Sequence, residues 1–232
     1  MIVQPITIRV DDAIAVSGLV QVPPRVRACF LFAHGAGAGM TNPFMAAVAA
    51  GLFDFGVATL RYQFPYMERG FKRPDPPKIA QATVRAAVKE ASSLLPDIGL
   101  IPGGKSFGGR MTSQAQAAKP LPNVLGLAFL GFPLHAAGQP SRERAEHLFE
   151  VQIPMLFLQG TRDALAEVNL ICAVCDELGD RATLKVFENA GHSFNVPARS
   201  GRSNTEVLND VIGTLADWIK GVARGTPQNG KP

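Results

Sequence analysis

Short apolar runs alternate with helical patterns along nearly the whole chain, and this alternation most narrowly constrains the fold. Most runs are continuously hydrophobic, which is typical of strands buried on both faces of a sheet. The order strand–helix–strand predicts an α/β fold, with a mostly parallel central sheet and helices on both faces. The predicted strands are residues 6–10, 14–22, 28–33, 57–61, 98–101, 124–132, 154–159 and 182–187.

Helical patterns occupy most intervals between these strands. Asn42 is a favourable N-cap, and Pro43 suits the first position of the helix that follows it. The first two strands are close enough to pair as an antiparallel hairpin across Asp11-Asp12. The predicted helices are residues 43–55, 78–95, 107–118, 142–149, 166–178 and 204–222.

A length of 232 residues without a linker-like segment predicts one domain, residues 1–222, followed by a flexible polar tail, residues 223–232. Only residues 133–153 separate two of the predicted strands. A crossover with its helix already needs about 10–12 residues, so little is left for a lid domain.

The formal net charge is +4, and the Lys and Arg residues are scattered, which argues against nucleic-acid binding. One basic group, Arg69, Lys72 and Arg73, suggests a weak preference for anionic ligands nearby. The chain has neither a signal-peptide pattern at its N-terminus nor an apolar stretch of 18 residues. We therefore expect a cytoplasmic protein that does not bind membranes, is a monomer or homodimer, and acts on a small molecule.

Three cysteines argue against a disulfide framework and suggest a reducing compartment. Cys172 and Cys175 form a C-x-x-C pair, but a zinc site needs two further ligands, and no second pair exists. The pair falls within a helical pattern, which favours two half-buried helix positions one turn apart. We expect no metal and no cofactor.

The segment Gly104-Lys105-Ser106-Phe107-Gly108 is a G-x-S-x-G motif between a predicted strand and a predicted helix. In that context the serine hydroxyl is presented on a sharp turn at a helix N-terminus, as a catalytic nucleophile requires. The alternative is a glycine-rich connection or a phosphate-binding loop. The chain lacks the G-x-x-x-x-G-K-[ST] pattern of the latter.

A serine nucleophile needs a base and a group that orients the base. His192 follows the strand at 182–187, and Asp163 follows the strand at 154–159. The order Ser106, Asp163, His192 is the triad order of α/β-hydrolases. The alternatives are that His192 is a surface loop residue and that Asp163 caps the next helix.

The oxyanion of an acyl-transfer intermediate needs two backbone N–H donors. Phe107, the residue after the serine, would supply one of them. The second would come from the small-residue loop after strand 28–33, where Ala36 is the first choice and Gly35 and Gly37 are alternatives. His34 is expected to support this loop structurally rather than act as a base.

The segments HGAGAGM, RYQFPYMERG, GGKSFGGRM, GFPLHAAG, QGTRD and AGHSFN occur in this order. Together they resemble the lidless α/β-hydrolase family related to dienelactone hydrolases. The likeness extends to the branch of small predicted hydrolases akin to testis-expressed proteins and chromatin-complex subunits. It covers roughly residues 26–218 and implies Ser106, Asp163 and His192 as the triad and HGAG as the oxyanion loop.

Two features of the resemblance concern the chemistry. Family members usually continue after GTRD with Pro and a Gly, whereas this chain has Ala164-Leu165-Ala166, so the acid loop differs. Dienelactone hydrolases proper use a cysteine nucleophile, so Ser106 favours plain ester chemistry. The predicted function is therefore a carboxylic-ester hydrolase for short acyl chains. The alternatives are a thioesterase or lactone hydrolase with the same triad, and a non-catalytic interaction module.

Substrate contacts are the last prediction from the sequence. The segment at residues 62–77 is aromatic, basic and rich in proline, and it follows a strand end. A second loop, at residues 133–136, follows another strand end. The residues expected to contact substrate are Met40, Tyr66, Leu134 and His135, and Phe64, Met67, Phe71 and Arg73 are further candidates for the pocket wall. The alternative for each of them is a surface loop folded against the sheet.

Overall fold

Eight strands form one sheet in the order β1-β2-β4-β3-β5-β6-β7-β8 in the computed structural model, which describes residues 2–225. Strands β3 to β8 are mutually parallel, and β1 and β2 form an antiparallel hairpin at one edge. The predicted fold class is therefore confirmed. The strands are β1 Gln4–Arg9, β2 Ala15–Gln21, β3 Ala28–Ala33, β4 Val57–Tyr62, β5 Leu100–Lys105, β6 Leu127–Leu130, β7 Met155–Gly160 and β8 Ala182–Phe187.

Six α-helices and three short 3-10 helices lie between or after the described strands. The α-helices are α1 Pro43–Asp54, α2 Pro65–Glu68, α3 Pro77–Leu94, α4 Phe107–Ala118, α5 Val168–Leu178 and α6 Asn204–Gly225. The 3-10 helices are Glu143–Glu150, Gly179–Arg181 and Ala198–Ser200.

Helices cover both faces of the sheet. Successive residues of a central strand point to opposite faces, so each such strand contributes apolar side chains to both layers of helices. Phe30 and Phe32 of β3 pack with α1 and α6 on one face. Leu31, from the same strand, packs with α3 and α4 on the other. A third cluster joins β6 and β7 to α5 and the 3-10 helix Glu143–Glu150. All six residues of β3 are buried.

The strand order reverses direction between β3 and β5. The chain leaves β3 through α1 toward β4, and it leaves β5 through α4 toward β6, on the opposite side of the sheet. Loops that diverge in this way leave a crevice at the carboxyl ends of the strands, where ligands of open α/β sheets bind. The described chain has no separate lid domain over this crevice.

Three local predictions were wrong. Strand β5 continues to Lys105 through Pro102, Gly103 and Gly104, residues that from sequence alone indicated a loop. The predicted helix at 142–149 is a 3-10 helix, Glu143–Glu150. Helix α6 includes residues 223–225 of the predicted tail. Residues 226–232 of that tail lie outside the described residues.

Candidate active site

Ser106 occupies the turn between β5 and α4. Its φ is 50° and its ψ is −116°, a combination that residues with a side chain rarely adopt. Such a conformation costs about 1–3 kcal/mol and is found mostly at functional sites. Ser106 directly precedes the first residue of α4, so its hydroxyl lies at the positive end of the helix dipole.

The turn requires glycine on both sides of Ser106. A methyl group on Gly104 would lie 2.6 Å from the Ala33 carbonyl oxygen, and one on Gly108 would lie 2.5 Å from the same oxygen. Both distances are far inside van der Waals contact, and the opposing atom belongs to the backbone of a central strand. The small residues of the motif therefore exist because α4 begins directly against the end of β3.

Asp163 and His192 form a hydrogen-bonded pair. The Asp163 Oδ2 atom lies 2.7 Å from His192 Nδ1, and its side chain has no exposed surface. Because a carboxylate only accepts, Nδ1 must carry the donated proton, and in a neutral ring Nε2 is then an acceptor. The same Oδ2 accepts from Gln159 Nε2 at 2.5 Å, and Oδ1 accepts from the Leu165 N–H at 2.8 Å.

The loops that carry Asp163 and His192 are bonded to each other. The Arg162 N–H donates to the Ala190 carbonyl at 2.8 Å, and the Asn189 N–H donates to the Thr161 hydroxyl at 2.8 Å. A methyl group on Gly160 would lie 2.2 Å from the Ala190 oxygen, so the loops touch at backbone level. This contact fixes the distance between acid and imidazole.

Ser106 and His192 line the same cavity at the crevice between β3 and β5, with a volume of about 330 Å³. Asp163 lies behind His192, buried in the protein. The structure thus brings together the three residues predicted as a triad. The other residues that line the cavity are Gly35, Ala36, Ala38, Asn42, Phe44, Met45, Lys105, Leu165 and Ser193.

The small-residue loop after β3 lies beside Ser106. A methyl group on Gly35 would be 3.8 Å from the Ser106 Cβ atom. The Gly37 N–H already donates to the Tyr66 hydroxyl at 3.1 Å. Within the described residues the Ala36 N–H has no hydrogen-bond partner. This arrangement favours Ala36 over Gly37 as the second oxyanion donor beside Phe107.

His34 makes hydrogen bonds suited to a structural residue. Its Nδ1 lies 2.8 Å from the Gly35 carbonyl, and its Nε2 accepts from the Phe64 N–H at 3.1 Å. Burial lowers the pKa of His34 to about 4, so the ring is neutral at pH 7. The neutral ring ties the loop after β3 to the start of α2.

The predicted substrate contacts do not match the lining of the cavity. Met40, Tyr66, Leu134 and His135 are all absent from it. Tyr66 is buried and uses its hydroxyl on Gly37. Leu134 packs into the core with Phe132, and His135 is 3% exposed. Tyr66, Leu134 and His135 turn inward because their loops pack against the sheet rather than over the crevice, whereas Met40 is partly exposed outside the cavity.

Sequence reasoning missed two polar residues of the site, Gln159 and Lys105. Gln159 is the second-last residue of the apolar strand β7, and its side chain bridges Asp163 and the Phe132 N–H. Lys105 lines the cavity and is 8% exposed. Both are polar residues at the carboxyl end of a buried strand. A polar side chain at such a position needs a specific partner or role, and this signal in the sequence could have identified them.

Residues 2–225 contain neither a metal-binding cluster nor a helix that could span a membrane. No group of three or more His, Cys, Asp or Glu side chains there is arranged to hold a metal ion. Among those residues no helix is long and apolar enough to cross a bilayer. Cys172 is partly exposed and Cys175 is buried, both on α5, and burial raises the pKa of the Cys175 thiol to about 12.

Comparison with known proteins places this chain in a family. A model of the alpha/beta hydrolase domain matches residues 26–220. The chain belongs to this family. The hydrolase shares its fold with a dienelactone hydrolase from Anabaena variabilis, at a TM-score of 0.76 and 20% identity over 94% of this chain and 97% of that one.

Two further solved structures have the same fold. One is XC6422 from Xanthomonas campestris, described as an α/β serine hydrolase without a lid, at a TM-score of 0.73 and 21% identity over 99% of this chain and 97% of that one. The other is an esterase domain from a Rhodothermus marinus protein, at a TM-score of 0.73 and 16% identity over 95% and 99%. Residues 2–225 of the hydrolase have this fold and likewise include no separate lid domain.

Proposed function

We propose that this hydrolase cleaves carboxylic esters with short acyl chains through a Ser106–His192–Asp163 triad and an acyl-enzyme. One observation carries the proposal: the strained Ser106 shares a cavity with His192, whose Nδ1 is bonded to the buried Asp163. A scaffold protein would gain nothing from this strain or from a buried carboxylate aimed at an imidazole.

The reaction follows from the hydrogen bonds. Asp163 holds His192 with its proton on Nδ1, which leaves Nε2 to accept the proton of the Ser106 hydroxyl as Oγ attacks the ester carbonyl. The N–H groups of Phe107 and Ala36 stabilise the tetrahedral oxyanion. His192 then gives the proton to the leaving alcohol, and water, activated in the same way, releases the acid from Ser106.

The expected preference for short acyl chains comes from the walls of the cavity. Its volume of about 330 Å³ is near the lower end for ligand pockets, and Phe44, Met45 and Leu165 are its larger apolar side chains. The described residues include no lid that would cover a long acyl chain of the substrate. We expect kcat/KM to fall from p-nitrophenyl butyrate to p-nitrophenyl laurate. Thioesters and lactones compared by kcat/KM in the same series would test the ester assignment.

The decisive test is Ser106→Ala. Loss of the nucleophile should lower kcat for p-nitrophenyl acetate and butyrate by about 10⁴-fold or more and abolish labelling by a fluorophosphonate. Ser93→Ala, at an exposed serine of α3, is the matched control and should behave as wild type. Retention of the wild-type rate in folded Ser106→Ala would refute the proposal.

A further inference from the structure

Lys105 stands directly before Ser106, at a position where the turn itself sets no requirement on the side chain. It is the last residue of β5, is 8% exposed and lines the cavity. Apart from His192, it is the only titratable side chain in that lining. A buried lysine beside a nucleophile therefore calls for a specific explanation.

The amine of Lys105 lies beside the imidazole of His192. A methyl group on Gly131 would lie 3.1 Å from Lys105 Nζ, 3.3 Å from His192 Cε1 and 3.0 Å from the His192 carbonyl oxygen. Nitrogen and ring thus border the same small space above Gly131. On the other side, the Lys105 Cγ atom would lie 3.6 Å from a methyl group on Gly35. The Lys105 side chain is therefore held between the loop after β3, at Gly35, and the loop after β6, at Gly131.

Lys105 Nζ is buried and makes no hydrogen bond among the described residues. Burial lowers the pKa of Lys105 to about 7, although the Asp163 carboxylate acts in the opposite direction. The other titratable groups around it are His192 and, on the loop after β3, His34, which is neutral at pH 7. The amine therefore exists in both charge states near neutrality.

We propose that Lys105 is a positioning residue that acts through His192: its uncharged amine permits His192 to take up the catalytic proton, and its ammonium form opposes that proton. The inference rests on the proposed triad. In the transition state His192 becomes a cation, and its ring borders the same small space as the Lys105 amine. Two neighbouring cations repel each other, and because Lys105 is buried, water screens this repulsion less than it would at the surface.

The test compares wild type, Lys105→Met and Lys105→Arg from pH 5.5 to 9. The rate of fluorophosphonate labelling and kcat/KM for p-nitrophenyl acetate are measured at each pH. Methionine keeps the length of the lysine stem without the charge, whereas arginine stays protonated throughout this range.

We expect the wild-type rates to rise with pH in one more step than those of Lys105→Met, because Lys105 loses its proton in that step. Lys105→Met should rise in a single step, and at pH 6 its rate relative to its own alkaline plateau should exceed that of wild type by about tenfold. The rates of Lys105→Arg should stay as low as the wild-type rates at acidic pH, without the increase that wild type has at alkaline pH. Its KM should change little.

A second measurement does not depend on activity. Unfolded Lys105 holds its proton up to about pH 10.5, whereas the folded residue holds it only to about pH 7. The unfolded state therefore binds more protons between these values, and stability rises with pH across that window. The urea midpoint of Lys105→Met, compared with wild type between pH 7 and 9, should lack this increase.

The outcomes separate the two proposals. If wild type is labelled but Lys105→Met has the same pH profile as wild type, or both variants lose the same factor at every pH, the role of Lys105 is overturned and the triad stands. If wild type is neither labelled nor active, both proposals fail. If Lys105→Met does not fold, a one-step wild-type profile overturns the role of Lys105, and a two-step profile supports it.

Discussion

The Asp163 carboxylate has no exposed surface, and its oxygens accept hydrogen bonds from His192, Gln159 and the Leu165 backbone. Asp163→Asn keeps the shape but replaces the carboxylate with an amide, which can donate to Nδ1 and so favour the wrong tautomer of His192. We expect kcat for p-nitrophenyl butyrate to fall by about 10³–10⁴-fold while KM changes little. Steady-state kinetics at pH 8 measures this effect.

Asp97→Asn is the matched control for this prediction. Asp97 is exposed and precedes β5, so it lies at the amino end of the strand whose carboxyl end leads to Ser106. The same chemical change there should leave both kinetic constants as in wild type. A comparable loss in Asp97→Asn, or wild-type kcat in Asp163→Asn, would contradict the assignment of Asp163 as the acid.

At the scale of secondary-structure elements, helix α2 is hydrogen-bonded to the loop after β3, so that the two hold each other in place. They are joined by the bond from the Gly37 N–H to the Tyr66 hydroxyl and by His34. Tyr66→Phe removes the acceptor and leaves a loop amide unpaired, so we expect a loss of stability of about 0.5–1.5 kcal/mol. We also expect a several-fold lower kcat with KM retained, because the neighbouring Ala36 amide is less well fixed. Urea unfolding and steady-state kinetics measure the two effects.

Tyr62→Phe is the control, since the chain has only two tyrosines and both are buried. The Tyr62 hydroxyl faces Thr112 on α4 rather than the loop after β3. Its removal should affect stability without the selective loss of kcat. Equal kcat in Tyr66→Phe and wild type would show that the hydroxyl does not position the loop.

The same elements show what the sequence could predict. Strands β3 and β8 and helix α4 have the predicted bounds because each is a run of apolar or amphipathic residues between clear breakers. The carboxyl half of β5 was missed because Pro102, Gly103 and Gly104 have low strand propensity. The two glycines are required because a methyl group on Gly103 would lie 1.9 Å from the Ala128 oxygen and one on Gly104 would lie 2.6 Å from the Ala33 oxygen, both in neighbouring strands.

The predicted triad residues meet because each follows a parallel strand, and strand ends of one sheet share an edge. No such rule applies to the cavity wall. Tyr66 and Leu134 were assigned to the wall from their chemistry, yet loop packing turns both inward. Phe44 and Met45 line the cavity from the first turn of α1, a position set by the path of the loop before it. Side-chain direction in loops depends on tertiary contacts that periodicity does not encode.

The response of the whole molecule to acid depends on buried neutral histidines. Burial lowers the pKa of His34 to about 4, and burial together with the nearby Arg110 charge lowers that of His147 to about 4. In the unfolded chain both hold a proton below about pH 6.5. The unfolded state thus binds more protons between pH 6.5 and 4, and stability falls as the pH decreases through this window.

His147→Gln tests this coupling. Each buried histidine contributes a slope of up to about 1.4 kcal/mol per pH unit, and less for His147 because it is partly exposed. Its Nε2 lies 2.7 Å from the Ser113 hydroxyl, and a glutamine amide offers that hydroxyl a similar partner without titrating. Urea unfolding from pH 4.5 to 7.5 should therefore give a shallower pH dependence in the variant, with similar stability at pH 7.5. An unchanged slope would mean that His147 takes up its proton without unfolding, and that acid sensitivity resides in His34 and the carboxylates.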